Sequence, residues 1–350
     1  PTRRSSDLYK KNHFAQDFIK EHHCPALTKE EKAEIDRYWA TYHVKYKDYD
    51  WFRMFYSVTG IHDPHFLPQP FFERVLYQYY RKKRKFFPAY ADKNMFPFFL
   101  PQLRFPDTIG KRMHYRYYDV DNQYLGDEVS DLVVDRFWDT FQKCGGGKEK
   151  AIILKSSVDS GFGKNVRKLP VASKEDLKKI LEGMDWEDLV LQKVVRQHPF
   201  FAQLNADSVN IIRITTWRKG NDVYLFSPTI RFGIRGFHTD VAFIDGKEIL
   251  NVLKIDPTTG RVADTYVTLE GEHFDLPAEY DRQVPQWDKI VETVTAGARG
   301  LTYFDVVAWD VTVDDQDRVI CVEYNINMPG SLIYQFAHGP LAGEQTDRSA

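Results

Sequence analysis

The chain has 350 residues, with 48 basic and 50 acidic side chains and a formal net charge of −2. That balance gives no electrostatic case for nucleic acid or an anionic membrane as a partner. No run approaches the roughly eighteen consecutive apolar residues that a membrane-spanning helix requires. Apolar residues make up 43% and charged residues 28%, the composition of a globular protein long enough for two or three subdomains. The first residues, Pro1 to Leu8, carry no pattern that would bury them. The last, Gln345 to Ala350, read as a cut, so the chain reads as a fragment. Cys24, Cys144 and Cys321 are too few and too scattered for a disulfide framework or a zinc site. Cys321 lies in an alternating strand and reads as a buried free thiol, which favours a reducing cytoplasm.

Residues 1–89 read as a helical region. Thr28-Lys29-Glu30-Glu31 is a capping box that opens a helix running to about Tyr42. A second helical run follows Pro68-Gln69-Pro70 and extends from Phe71 to about Lys85. Its basic end, Arg81 to Lys85, reads as a solvated helix terminus rather than a binding patch. His22-His23-Cys24 lacks the partners that a metal would need. The abundant Phe and Tyr residues here read as core rather than as a sugar platform. From Phe86 to Pro106 the chain is too rich in Phe and Pro for a long helix.

After Cys144-Gly145-Gly146-Gly147 the pattern changes. Ala151 to Leu154 is an apolar strand ending on Lys155, and a Gly-containing loop follows from Ser156 to Asn165. Ser173 opens an amphipathic helix to about Leu181, and Leu189 to Gln192 is the next buried strand. From Val209 to about Val267 strands alternate with turn signals at Gly220-Asn221, Asp245-Gly246 and Pro257 to Gly260. A helix is expected from Pro285 to about Arg299. A hairpin then runs from Phe304 to Val313 and from Arg318 to Tyr324, across Asp314-Asp315-Gln316-Asp317. The order predicts an α+β fold with a mixed or antiparallel sheet.

The hairpin carries the most chemistry. Alternation places Glu323 and Asn325 on one face, and the tight turn brings Asp310 opposite them. Two carboxylates and an amide oxygen form a hard-oxygen cluster suited to magnesium, with phosphate oxygens and water completing the octahedron. Cross-strand polar pairs on a solvated face are the plainer alternative. Lys155, ending an apolar strand just before a Gly-rich loop, is placed to reach nucleotide phosphates. The loop is not a Walker A loop, because Asn165 follows Gly163-Lys164 and Val158 stands where the first glycine belongs. Leu189 to Val195 reads as a buried strand whose edge is available to an adenine.

The order of these motifs resembles the ATP-grasp superfamily, and within it the sugar-transfer-associated ATP-grasp family of bacterial surface-polysaccharide gene clusters. The matching stretches begin with Tyr90-Ala91-Asp92-Lys93-Asn94, Arg104 to Thr108, Ile153-Leu154-Lys155, Val190 to Lys193 and Gln197-His198-Pro199. They continue through Ser208 to Arg213, Ile230 to Gly233 and Trp309-Asp310-Val311. The last runs from Glu323 to Gly330 and on to Gln335 and His338-Gly339-Pro340. Together they cover about residues 45–345. The resemblance implies an ATP-grasp domain over 90–350, two α+β subdomains sandwiching ATP. Of these, about 150–195 is the smaller nucleotide lid and about 196–345 the metal- and substrate-binding part.

It further implies that Lys93 and Lys155 hold the ATP phosphates, with Ser156 and the Gly161–Gly163 loop closing over them. Gln192, Lys193, Val194 and Val195 become the adenine hinge, and Asp310, Glu323 and Asn325 the Mg2+ ligands. Arg213 and Lys155 become the catalytic cations, and Asn210, Arg231 and Asp240 the substrate side. Where many family members carry Asp-Asn and Gly-Gly pairs, this chain reads Phe237 to Val241 and Asp245-Gly246. Gln192 also replaces the acid common at the hinge. The implied reaction is carboxylate–amine ligation through an acyl-phosphate on a small-molecule or saccharide substrate, in a bacterial cytoplasm. A kinase-like phosphotransferase and a non-catalytic nucleotide-binding assembly module are the alternatives.

Overall fold

A computed structural model of the chain describes residues 4–44, 49–76, 86–158, 165–326 and 330–343. The predicted run Arg81–Lys85, the glycines Gly161 and Gly163, and residues 327–329 lie outside that set. So do the terminal stretches 1–3 and 344–350.

Three helices open the fold: α1 (Arg4–Glu21), α2 (Lys29–Ala40) and α3 (Asp50–Thr59). The capping box at Thr28 is formed: its hydroxyl accepts the Glu31 N–H at 3.1 Å, and the Glu31 carboxylate accepts the Thr28 N–H at 2.6 Å. The helix expected from Phe71 onward begins differently. After Pro68 the chain makes one α-turn, Gln69–Phe71, and then a wider π-turn, Phe72–Leu76. The helical aromatics are core, as their spacing predicts. Phe52, Phe55 and Phe66 have no exposed surface, and Phe55 stacks on Phe66 with centroids 4.8 Å apart.

The smaller sheet follows. It contains β1 (Thr108–Met113), β2 (Arg116–Tyr118) and β3 (Tyr124–Gly126), then helix α4 (Asp131–Lys143). Next come β4 (Ala151–Ser156), β5 (Val166–Pro170), helix α5 (Lys174–Glu182) and β6 (Leu189–Lys193). Its strand order is β3-β2-β1-β6-β4-β5, antiparallel throughout. The sheet thus begins well before residue 150. Half of its strands come from 108–126, where short, charge-interrupted segments hide the period-two pattern. One face of this sheet is covered by α4 and α5 through Leu154, Leu189, Leu191, Phe137 and Leu177, all buried.

The larger sheet comprises β7 (Ile211–Lys219), β8 (Asp222–Phe232), β11 (Asn251–Ile255), β12 (Val262–Thr268), β13 (His273–Asp275), β14 (Val306–Val313) and β15 (Val319–Asn325). A two-stranded ribbon, β9 (Ala242–Ile244) with β10 (Lys247–Ile249), branches from it. The order is β13-β12-β11-β8-β7-β14-β15, again antiparallel. Helix α6 (Trp287–Gly300) covers one face over Ile212, Ile214, Trp309 and Val311. It starts two residues after Pro285, because Gln286 sits in the left-handed region at φ 56° and sets the entry angle. Cys321 is buried here as a free thiol.

Gly297 allows α6 to approach this closely. A Cβ there would lie 2.5 Å from the Trp309 ring. Trp309 cannot retreat, because it is fully buried and its indole N–H donates to Thr216 Oγ1 at 2.8 Å. Gly297→Ala is expected to cost about 1–3 kcal/mol through overpacking, more than the ~1 kcal/mol that alanine gains as a helix former. A rise in the urea midpoint of unfolding would contradict this contact.

The opposite face is shared. Over β11 and β12 it is covered by α1, α3 and the final helix α7 (Leu332–His338) through Val252, Val267, Ile333 and Phe336. Two polar side chains lock α7 in place. Gln335 is fully buried, its carbonyl accepting the Leu67 N–H (2.7 Å) and its amide donating to the Leu67 C=O (2.9 Å). His338 Nε2 bonds the Pro228 carbonyl at 2.9 Å.

Burial lowers the His338 pKa to about 4, with the Pro228 bond and Asp256 opposing and Lys254 reinforcing the shift. The unfolded imidazole protonates near 6.5, so stability present above that pH drains as the pH falls from about 6.5 to 4. The loss attached to this one group is on the order of 3 kcal/mol. Denaturant curves of wild type and His338→Gln at pH 7.5 and 4.5 should show the gap between the two proteins narrowing at the lower pH. A gap that stays constant would refute the assignment.

Candidate functional site

The remaining open part of that sheet face, over β7, β14 and β15, faces the smaller sheet. In β7 the alternation is Ile212 and Ile214 to the α6 core and Arg213 to the open face. In β14, Trp309 and Val311 face the core and Asp310 the open side. Pairing then sets Thr229, Arg213, Asp310 and Glu323 side by side in one row across four strands. Strict alternation would send Cys321 and Glu323 to the same side. A register shift pairs Asp310 with Glu323 but Val311 with Cys321, which leaves Val322 as a bulge. The thiol thus stays in the core while the carboxylate reaches the site.

Asp310 is bound on two sides. The Arg213 guanidinium forks onto both its oxygens, Nη2 to Oδ2 at 2.7 Å, and the Asn325 amide donates to Oδ2 at 3.1 Å. Both side chains of the Arg213–Asp310 pair are 12% exposed. Burial works against the Arg213 charge, but Asp310 more than compensates and holds its pKa above the ordinary value. Next in the row, Glu323 Oε1 meets Lys93 Nζ at 3.2 Å.

Lys93 reaches Glu323 because its segment is tied to the smaller sheet. The Lys93 N–H donates to the Ser157 carbonyl at 2.9 Å, and the neighbouring Asn94 lies buried. Lys155 is the penultimate residue of β4, on the inner face of that sheet and opposite Val190. Burial, reinforced by Lys93 and opposed by Glu323 and Asp310, lowers its pKa to about 8. Ser156 turns its hydroxyl to the Val158 carbonyl at 2.6 Å and shapes the start of the loop.

On β6, Leu189 and Leu191 enter the helix-covered core, so Val190 and Gln192 alternate onto the face of Lys155. Gln192 is buried and its Oε1 has no hydrogen-bond partner among the described residues; the same is true of Thr312 Oγ1, two residues beyond Asp310. Buried acceptors without partners are costly unless a ligand satisfies them. Lys193, Val194 and Val195 continue as the crossing between the sheets.

Arg231 lies on β8, two residues beyond Thr229. It pairs with Asp240 at 2.9 Å, which raises its pKa against the effect of burial, and its Nε is buried with no partner among the described residues. Asn210 is placed differently from these. It has no exposed surface, and its amide donates to the Phe201 (2.6 Å) and Asn205 (2.8 Å) carbonyls. That commits its amide to holding the loop before β7. Tyr334 of α7, which the sequence reading does not single out, lies close enough to influence the charge of both Arg213 and Arg231. Its one sequence signal is its place four residues after Gly330.

Two carboxylates and one amide oxygen are too few to cage a cation, and the described residues hold no cluster of three or more His, Cys, Asp or Glu able to do so. They match the habit of magnesium, which takes one or two carboxylates and completes its shell with phosphate and water. The cations that now neutralise Asp310 and Glu323 stand where triphosphate oxygens would compete for them.

The sugar-transfer associated ATP-grasp family matches over residues 74–347, and the chain belongs to that family. Among solved structures it is similar to an N5-carboxyaminoimidazole synthetase from Staphylococcus aureus complexed with ADP, at 10% identity and a TM-score of 0.39. That match covers 69% of this chain and 45% of the other. It is also similar to D-alanyl-alanine synthetase A from Vibrio cholerae (9% identity, 71% and 60% covered, TM-score 0.39). A third is D-alanine–D-alanine ligase from Bacillus anthracis (15% identity, 68% and 57% covered, TM-score 0.36). In each case the chain spans less than two thirds of the structure it matches. No curated protein matches the chain. Among the described residues no helix is long and apolar enough to cross a membrane.

Proposed function

We propose that the chain is a magnesium- and ATP-dependent carboxylate–amine ligase whose acceptor is a sugar acid, an amino sugar or an amino acid used in bacterial surface-polysaccharide synthesis, acting in the cytoplasm. The observation that carries it is the single row Arg213–Asp310–Glu323, with Lys93 and Lys155 brought to it from the smaller sheet.

Each residue has one task in this reading. Lys93 and Lys155 neutralise the β- and γ-phosphates, and Gln192 to Val195 receive the adenine edge. Asp310, Glu323 and Asn325 would hold Mg2+, which would supply charge neutralisation to the phosphates. Arg213 faces the phosphoryl group in flight, and Arg231 with Asp240 orients the acceptor. The acceptor carboxylate attacks the γ-phosphorus, the bond to ADP breaks, and an acyl-phosphate results. An amine then attacks the acyl carbon, phosphate leaves, and the amine gives up a proton. Positioning and electrostatic stabilisation provide the rate, so no nucleophilic side chain is required.

Hydroxylamine trapping tests this directly. With ATP, magnesium and a panel of uronic acids and amino acids, a ligase yields a hydroxamate together with ADP and phosphate. A phosphorylated acceptor with no hydroxamate would instead identify a kinase-like phosphotransferase. Failure of the intact, folded protein to bind ATP at all would remove both.

A further inference from the structure

Helix α7 meets the open part of the larger sheet along β8. Ile230 and Phe232 turn to the α6 core, so Thr229 and Arg231 alternate onto the opposite face. There Arg231 is paired with Ile211 of β7 on one side and with Val252 of β11 on the other, and Val252 lies under α7. Arg231 therefore stands where the cover of α7 gives way to the open row. Tyr334 is the α7 residue at that border. It is 6% exposed, its ring is packed in the cluster of α1, α3 and α7, and a Cβ on Gly330 would lie 3.5 Å from its Cε2. Its neighbours hold it in place: Ile333 and Phe336 are core, and Gln335 bonds both backbone groups of Leu67.

Donors at this border are left over among the described residues. Arg213 spends Nε and Nη2 on Asp310 and keeps Nη1. Arg231 spends Nη2 on Asp240 and keeps Nη1 beside its enclosed Nε. The Tyr334 hydroxyl also has no hydrogen-bond partner among the described residues, although it lies close enough to both guanidiniums to act on their charge. A tyrosine this deeply buried ordinarily finds a partner for its hydroxyl. Neither Nη1 nor the hydroxyl is sealed inside the protein, so each stays open to a ligand. The acceptors nearby are mostly taken. Asp310 is held by Arg213 and Asn325, and Asp240 Oδ2 by Arg231, which leaves Asp240 Oδ1.

We infer that Tyr334 is a substrate-binding residue. Its hydroxyl and Arg231 Nη1 grip the carboxylate of the acceptor, and Arg213 Nη1 remains for the phosphoryl group beside it. The same balance of groups selects the acid. A subsite with donors in excess and one open carboxylate oxygen suits a ligand whose polar atoms are chiefly oxygens. A uronic acid has that chemistry: its carboxylate accepts from Arg231 and Tyr334, and a ring hydroxyl donates to Asp240 Oδ1. The ammonium of an amino acid would bring three more donors beside a guanidinium, with that single oxygen to receive them. That the gripped carboxylate is the one phosphorylated rests on the ligase reading; the subsite itself does not.

The test is titration of D-glucuronate into the full chain with ADP and magnesium present, followed by ligand-detected NMR, with D-glucose and L-alanine as comparison ligands. Glucuronate is expected to bind more tightly than either. Tyr334→Phe keeps the packed ring and removes only the hydroxyl; it should weaken glucuronate by about tenfold, the worth of one hydrogen bond to a charged group, and leave ADP affinity and the thermal midpoint unchanged. Arg231→Lys is the second variant, with glucuronate weakened and ADP again unchanged. Glucuronate affinity equal in wild type and Tyr334→Phe, or no glucuronate binding by the folded chain, overturns the subsite. Glucuronate and ADP weakened together would make Tyr334 a packing residue and overturn it as well. L-alanine binding as tightly as glucuronate overturns the preference for oxygen. If the chain binds no ADP but its glucuronate affinity still depends on the Tyr334 hydroxyl, the subsite stands and the ligase reading falls.

Discussion

Asp310→Asn is expected to weaken ATP binding in magnesium by about 10- to 10³-fold while leaving magnesium-free binding within a few-fold of wild type. The substitution keeps the shape of the side chain and removes its charge. Two consequences follow from the row on β7, β14 and β15. The proposed magnesium site would lose one of its two carboxylates, and the Arg213 guanidinium loses the fork that neutralises its charge in a buried place. Breaking a buried pair of this kind costs about 3–5 kcal/mol when one partner is left uncompensated, and less when an amide still bonds the guanidinium. A fall in thermal stability should therefore accompany the loss of affinity. Calorimetry with and without magnesium separates the effects, since lost stability alone weakens both titrations equally. Equal weakening in both would show Asp310 to be a structural partner of Arg213 and no metal ligand.

The hairpin was legible in the sequence because its chemistry is local. Asp310, Glu323 and Asn325 sit on adjoining strands across a five-residue turn, and alternation alone nearly places them. The bulge at Val322 was not legible, and without it Cys321 and Glu323 would share a face. Of the smaller sheet only the strands from Ala151 onward are legible in the sequence. β1 to β3 are three to six residues long, and Lys111, Arg112 and Arg116 break their apolar pattern. The direction of the Asn210 side chain was not legible for a different reason. A motif position shows that a polar side chain is wanted, not whether it faces a ligand or, as here, the carbonyls of Phe201 and Asn205. Tyr334 comes to the site through tertiary packing, to which spacing has no access, whereas Thr312 follows from alternation two residues beyond Asp310.

Arg213→Lys is the substitution that best separates holding from catalysis. The ammonium keeps the positive charge beside Asp310 and so preserves most of the electrostatic support of the row. It cannot fork onto both carboxylate oxygens, nor present a plane of donors to a phosphoryl group in flight. Ground-state ATP affinity should change by only a few-fold, whereas acyl-phosphate formation, read as hydroxamate, should fall by about 10²- to 10³-fold in kcat, the range seen when one donor to a developing charge is removed. The Michaelis constant for the acceptor carboxylate should move less than kcat, because Arg231 with Asp240 is the pair assigned to orient it. Arg231→Lys should show the reverse split, a raised acceptor constant with a smaller loss of kcat. If both variants raise the acceptor constant and spare kcat, the two arginines form one binding site and the transferring phosphoryl group is stabilised elsewhere on the face, where Lys93 and Lys155 are the remaining cations.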